Sequence, residues 1–239
     1  IDILKGSLCC SSEARFLSSQ LLEMHKRISK LNKATVLELG VDRGQSTKVF
    51  LNAIDQKSSS HLISVDIVDC KSVSDSVNWT FIKNDSANIK AVIEEAPILK
   101  NGIDVIYVDS LHTAEHVYKE IYGWFPFLNK GGVMYFDDID TGPYLIGQRK
   151  DSVATEIANR KIYELIQAVF RANMDKINLS VQYGSTGLAR FEKMCDIGAM
   201  LEKPLYIRKR NRSFFWRLMN LVFRKRQYQH SQNTNESFL

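Results

Sequence analysis

The sequence predicts an α/β fold, a doubly wound seven-stranded sheet that is mostly parallel and ends in a C-terminal antiparallel hairpin. Three observations carry this expectation. Short apolar runs alternate with stretches of helical spacing up to residue 137, the first run enters a glycine-bearing turn, and two adjacent strand-like runs follow the last long helix. Strands alternating with helices build a parallel sheet with right-handed crossovers. Two runs split only by Gly184-Ser185-Thr186 fold back as a hairpin.

The elements follow in order. Residues 11–31 set Phe16, Leu21, Met24, Ile28 and Leu31 at helical spacing behind a Ser11 or Ser12 cap, and this helix, with Phe16 and His25, is expected to form a lid. Ala34–Leu39 is a buried strand ending at Gly40. Further strands are expected at His61–Ile67, Trp79–Lys83, Ile103–Asp109 and Gly132–Asp137, with helices near 45–55, 87–98 and 113–126 between them. The loop Asp140–Lys150 leads into a helix over 152–172, and the hairpin strands are Asn178–Tyr183 and Gly187–Glu192.

The chain has 239 residues, 44% apolar and 25% charged, which excludes disordered, collagen-like and coiled-coil classes. Its net charge of +5 is unevenly spread. Lys203 to Arg226 hold nine basic residues and no acid, leaving 23 basic and 26 acidic residues in 1–202. That body is unsuited to wholesale nucleic-acid binding. The expected organisation is one domain over 1–202 and a basic tail over 203–239. Cys9, Cys10, Cys70 and Cys195 make no C-x-x-C pair or zinc pattern. No apolar run reaches the ~20 residues of a membrane span, and no signal-peptide core opens the chain, so a reduced cytoplasmic setting is expected.

The first chemical signal is V-L-E-L-G-V-D-R-G-Q-S-T, Val36 to Thr47. Gly40 and Gly44 let the chain bend and approach a ligand closely, with Ser46 in the first turn of the helix that follows. The spacing is G-x-x-x-G, and Glu38 two residues before Gly40 repels a pyrophosphate but attracts a cationic amino-acid group. Asp66 ends the second strand, where an acid accepts ribose hydroxyls, and Asp85-Ser86 follows the third. The alternative reading is a plain tight turn with Asp66 as a helix cap.

This arrangement resembles the class I S-adenosylmethionine (SAM)-dependent methyltransferases over roughly residues 11–192, whose fold is Rossmann-like. The resemblance implies that Glu38 faces the methionine end of the cofactor, that Gly40 passes under it and that Asp66 holds its ribose. Gly44, Ser46, Asp85, Ser86 and Asp109 complete the expected cofactor set.

The second signal is acidic. Asp109 ends the fourth strand, in I-Y-V-D-S-L-H, and Asp137 and Asp138 end the fifth, in G-G-V-M-Y-F-D-D. In a parallel sheet these strand ends share one edge, where converging carboxylates repel each other unless protonated or bridged by a cation. An all-oxygen set suits Mg2+ or another hard divalent ion. The pattern resembles the metal-dependent macrocin-type sugar O-methyltransferases and related short bacterial methyltransferases with D-G-x-H followed by G-G-x-x-x-x-D-D. It implies magnesium at Asp109, Asp137 and Asp138. Ser110 and Leu111 depart from that pattern.

Candidate general bases are Asp109, His112 and Asp140. Tyr144, Gln148 and Arg149 in the following loop are of the kind that binds polar acceptors such as sugars. Ser213–Gln227 forms a basic amphipathic stretch, with Phe214, Leu218 and Val222 on one face. It suits a membrane surface or acidic partner, or alternatively its own domain or a second copy of the chain in a homo-oligomer. The function expected is divalent-metal-assisted O-methylation of a small-molecule or sugar hydroxyl. The alternatives are a metal-free methyltransferase on another acceptor, or a non-catalytic SAM-binding or membrane-tethered scaffold.

Overall fold

The computed structural model describes residues 12–55, 57, 59–145, 153–184 and 186–204, with side chains from residue 19 onward. The elements are α1 (Ser12–Ser29), β1 (Thr35–Leu39), α2 (Gln45–Ile54), β2 (His61–Asp66), β3 (Trp79–Lys83), α3 (Ile89–Glu95) and β4 (Ile103–Val108). They continue with α4 (Ala114–Trp124), β5 (Leu128–Asp137), α5 (Gly142–Leu145), α6 (Val153–Ala172), β6 (Ile177–Gln182) and β7 (Leu188–Lys193).

One sheet holds all seven strands in the order β3-β2-β1-β4-β5-β7-β6. β1 to β5 are parallel, and β7 runs antiparallel between β5 and β6. The order reverses between β1 and β4, which opens a crevice at the C-terminal strand ends. β1 is buried along its whole length, Glu38 included. Alternate residues of the central strands feed two cores. Leu37, Ile63, Ile106 and Met134 pack with α3, α4 and α6, whereas Val36, Leu62, Val105 and Tyr135 pack with α1 and α2.

Prolines explain where helices stop short of expectation. The stretch near 113–126 leaves the α-helix at Trp124 and continues as a 3-10 turn over Phe125–Phe127 around Pro126. The one near 87–98 ends at Glu95, and Pro97 opens a 3-10 turn to Asn101. β5 starts four residues early because Leu128 pairs with Ile103 across a register shift.

The C-terminal half of α1 is a packing helix. Met24 and Ile28 are buried against α2 and the sheet. His25 Nε2 meets Asn52 Oδ1 of α2 at 2.9 Å, and Arg27 donates to the Gly131 carbonyl at 2.8 Å. The Phe16 side chain, Ser11, Cys9, Cys10, Gln148, Arg149 and the amphipathic stretch Ser213–Gln227 lie outside the described residues. Among the described residues no helix is long and apolar enough to cross a membrane.

Candidate active site

The turn between β1 and α2 is shaped by two glycines in the left-handed region, Gly40 at φ +98° and Gly44 at φ +72°. Gly40 donates to the Val65 carbonyl at 2.9 Å, and the Asp109 N–H donates to the Leu39 carbonyl at 2.8 Å. β1, β2 and β4 therefore stay laced together past their formal ends. A Cβ at Gly40 would stand 2.0 Å from the Asp109 carbonyl oxygen, and one at Gly44 would stand 2.1 Å from Val73 Cγ1. Gly40 thus serves the close approach of two backbone segments and Gly44 that of the Val73 side chain, as well as the turn itself.

Asp66 anchors this turn. Its Oδ2 accepts from the Val41 N–H at 2.8 Å and the Asp42 N–H at 3.3 Å, and its Oδ1 accepts from the Val68 N–H at 2.8 Å. Glu38 is fully buried beneath it. Its carboxylate accepts from Ser46 Oγ at 2.6 Å, Thr47 Oγ1 at 2.7 Å and Ser64 Oγ at 2.6 Å, and Ser64 in turn accepts from Trp79 Nε1 at 2.8 Å. Burial pushes the Glu38 carboxyl up from 4.5 to about 7, against the pull of three hydroxyl donors. A raised acid pKa means that the folded state holds its proton longer than the unfolded chain. Stability is then lost as pH rises from about 4.5 through about 7. The loss reaches up to about 3 kcal/mol from this one group. Glu38→Gln removes that slope, so the variant gains on the wild type between pH 5 and pH 8. Paired denaturant titrations at the two pH values measure it, and an identical slope in both proteins would remove Glu38 as its source.

The acids at the ends of β4 and β5 form one connected cluster. The Tyr107 hydroxyl sits between Asp109 Oδ2 at 3.2 Å and Asp137 Oδ2 at 2.7 Å. Asp137 Oδ1 accepts from Thr186 Oγ1 at 2.7 Å and from the Asp138 N–H at 2.8 Å. His112 bridges the other side, with Nε2 3.1 Å from Asp109 Oδ1 and Nδ1 2.7 Å from Asp138 Oδ2. Thr113 caps α4 through the His116 N–H, so His112 is held just ahead of the helix. Asp138 adopts φ +56°, a left-handed conformation uncommon outside glycine.

Electrostatics follow from this geometry. Hydrogen bonds to Asp109 and Asp138 push His112 up to about 10, so it is an imidazolium at neutral pH. Burial, then the charges of Asp109 and Asp138, push Asp137 up to about 6. Burial also raises Asp109, against its bond to His112. Tyr107 is held well above its ordinary value by burial and the two acids, and stays a neutral donor.

Asp109, Asp137 and Asp138 thus meet at one edge, and their oxygen chemistry suits a hard cation. Their arrangement does not. His112 stands between Asp109 and Asp138, and both Asp137 oxygens have donors already. Among the described residues no group of three His, Cys, Asp or Glu side chains is placed to hold a metal ion. Asp140 has a different task from that of a base. Its Oδ1 accepts from the Gly142 N–H at 2.8 Å and its Oδ2 from the Gly184 N–H at 2.9 Å, pinning the β6–β7 turn to the loop after β5.

Asp85 is exposed and its Oδ1 accepts from the Ala87 N–H at 2.8 Å. Ser86 is buried and bonds to His116 and Glu120 of α4. Sequence reasoning missed Tyr107, Thr186 and Glu120. Tyr107 carried a signal, since it stands two residues before Asp109 and so faces the same side of β4. Glu120 carried one as an acid among Val117, Ile121 and Trp124 on the apolar face of α4. Thr186 carried none.

Residues 37–139 match the family model described as a methyltransferase domain. No curated protein sequence matches the chain. Among solved structures, it is similar to the MycE methyltransferase from the mycinamycin biosynthetic pathway, in complex with Mg, SAH and mycinamycin VI. The identity is 18% and the TM-score 0.52, over 77% of this chain and 51% of that one. The chain therefore spans about half the length of MycE. It is also similar to CalS11, a TDP-rhamnose 3'-O-methyltransferase of calicheamicin biosynthesis, at 16% identity and TM-score 0.52 over 80% of this chain and 90% of that one. A third is the SAH-bound methyltransferase PaMTH1 of Podospora anserina, at 13% identity and TM-score 0.56 over 80% and 85%. The chain has the fold of the class I SAM-dependent methyltransferases, and the match to the methyltransferase-domain model falls on the part of it that runs from β1 to the end of β5.

Proposed function

We propose that the chain transfers a methyl group from SAM to a hydroxyl of a small, sugar-like acceptor. The observation that carries this reading is the cluster Asp109–His112–Asp138, set at the strand edge directly beside the Gly40 turn. When bound, SAM supplies an electrophilic methyl group on a sulfonium. The residues that would hold it are Gly40, Gly44 and Ser46 on the methionine side, with the buried Glu38 fixing Ser46 from beneath, Asp66 at the ribose and Asp85-Ser86 at the adenine.

The chain's own task is placement and proton management. Methyl transfer from a sulfonium needs in-line positioning and loss of the acceptor proton. The Asp109 and Asp138 carboxylates, oriented by His112, are at hand to take that proton. His112 is already protonated and so acts as their orienting and charge-balancing partner. Of the original base candidates, Asp109 keeps the role. Asp109, Asp137 and Asp138 do not fit a hard divalent cation as they stand, because His112 occupies the space between Asp109 and Asp138. The closed arrangement around His112 gives no step through it. CalS11, a TDP-rhamnose 3'-O-methyltransferase of similar fold, supports a sugar-bearing acceptor.

The test is transfer of labelled methyl from SAM to a panel of free sugars, nucleotide sugars, glycosides and phenols, with EDTA or with added Mg2+. Label in a methyl ether from an EDTA-treated sample is the expected result. Label appearing only with Mg2+ would restore the cation to the three acids. Label found solely on amine or thiol acceptors would overturn the hydroxyl assignment.

A further inference from the structure

The residue on α4 that the chemistry above leaves unused is Glu120. It is fully buried, on a helix face otherwise made of Val117, Ile121 and Trp124. Its Oε1 accepts from Ser86 Oγ at 2.6 Å and from Ser110 Oγ at 2.6 Å. Ser86 lies in the loop after β3, and Ser110 follows Asp109 in the loop after β4. One carboxylate oxygen thus joins the two loops that flank the crevice. Its other oxygen, Oε2, is buried with no hydrogen-bond partner. Such an oxygen costs stability where an apolar side chain would gain it. Glu120 is therefore a poor choice for packing alone.

The helix reinforces the tie. His116, Glu120 and Trp124 stand four residues apart on a single ridge of α4, and all three reach Ser86. His116 Nε2 lies 3.0 Å from Ser86 Oγ, and Trp124 Nε1 donates to the Ser86 carbonyl at 2.9 Å. The hydroxyl and the carbonyl of this one serine are both held from α4. His116 Nε2 also lies 3.8 Å from Asp85 Oδ1. The lacing extends to the residue expected to face the adenine.

We infer that Glu120 is a positioning residue that ties the Asp85-Ser86 loop to the Asp109-Ser110 loop and thereby sets the affinity for the nucleoside end of SAM. This rests on the cofactor placement given under the proposed function. The carboxylate is fully buried and does not open onto the crevice surface. It acts by fixing the spacing of the two loops before the cofactor arrives, so that binding need not order them.

The test is calorimetric titration of SAM and of 5'-methylthioadenosine, which lacks the amino-acid end. The proteins are the wild type, Ser86→Ala, Ser110→Ala, Glu120→Ala and Glu120→Gln, each with its melting temperature. Glu120→Ala and the serine variants are expected to weaken both ligands by about tenfold, the worth of one buried hydrogen bond. Glu120→Gln keeps one acceptor oxygen for the two hydroxyls and is expected to stay within about threefold of the wild type. The double variant Ser110→Ala/Glu120→Ala is expected to bind no worse than Glu120→Ala alone. If Glu120→Ala fails to fold, Ser110→Ala carries the test, because its side chain is small and partly exposed. Folded serine variants with lowered melting temperatures but wild-type affinities would overturn the inference and leave a purely structural role. A wild type that binds neither ligand would overturn it together with the proposed function, a result distinct from the first.

Discussion

Gly40→Ala is expected to abolish cofactor binding and to lower the melting temperature by roughly 5–10 °C. Two costs combine. At φ +98° a side-chain-bearing residue is strained, by about 1–3 kcal/mol. The new Cβ would also sit 2.0 Å from the Asp109 carbonyl oxygen, a backbone atom that cannot swing away. Relief requires the β1–α2 turn to retreat from β4, or the Asp109-Ser110 loop to retreat from β1. Either movement displaces Asp109, whose backbone N–H is bound to Leu39. Calorimetric SAM titration and thermal melting of the variant measure both effects. An alanine variant that melts and binds like the wild type would show that the two loops are not in contact in solution.

Asp109→Asn is expected to lower turnover by about 10²–10⁴-fold, the usual worth of a positioned proton acceptor. Its stability is expected to hold or to rise. The carboxylate is disfavoured in its charged form by burial and by neighbouring Asp138, in part offset by His112. The neutral amide escapes that penalty and can still accept from Tyr107, which offsets the loss of its bond from His112 Nε2. Loss of activity with retained folding is the mark of a group kept for chemistry rather than for packing. Label-transfer rates alongside melting curves measure the pair. Turnover within a few-fold of the wild type would move the proton acceptor to Asp138.

Much of the fold was legible because the central parallel strands β1, β2 and β4 are largely buried on both faces and read as mostly apolar runs. Val36–Leu39 and Ile103–Val108 needed no periodicity to be found. The ends of β2 and β4 were legible as well, since the acid that closes each, Asp66 or Asp109, marks the crevice. Less legible was what the acids do there. Asp140 reads as a third catalytic candidate from its place two residues after Asp138, yet its oxygens go to the N–H groups of Gly142 and Gly184. Gly184 belongs to a hairpin turn 44 residues away. His112 reads as a lone histidine, and only the packing of two loops reveals that both its nitrogens face carboxylates. The helix stops at Trp124 and Glu95 depended on prolines that the apolar spacing passed over.

The account stands or falls on whether the crevice at the ends of β1, β2 and β4 takes SAM. Titration of SAM into the purified chain, with Gly40→Ala as the matched control, decides it. Saturable one-to-one binding by the wild type and none by the variant is the expected outcome. Absence of binding by the folded wild type would overturn the methyltransferase reading.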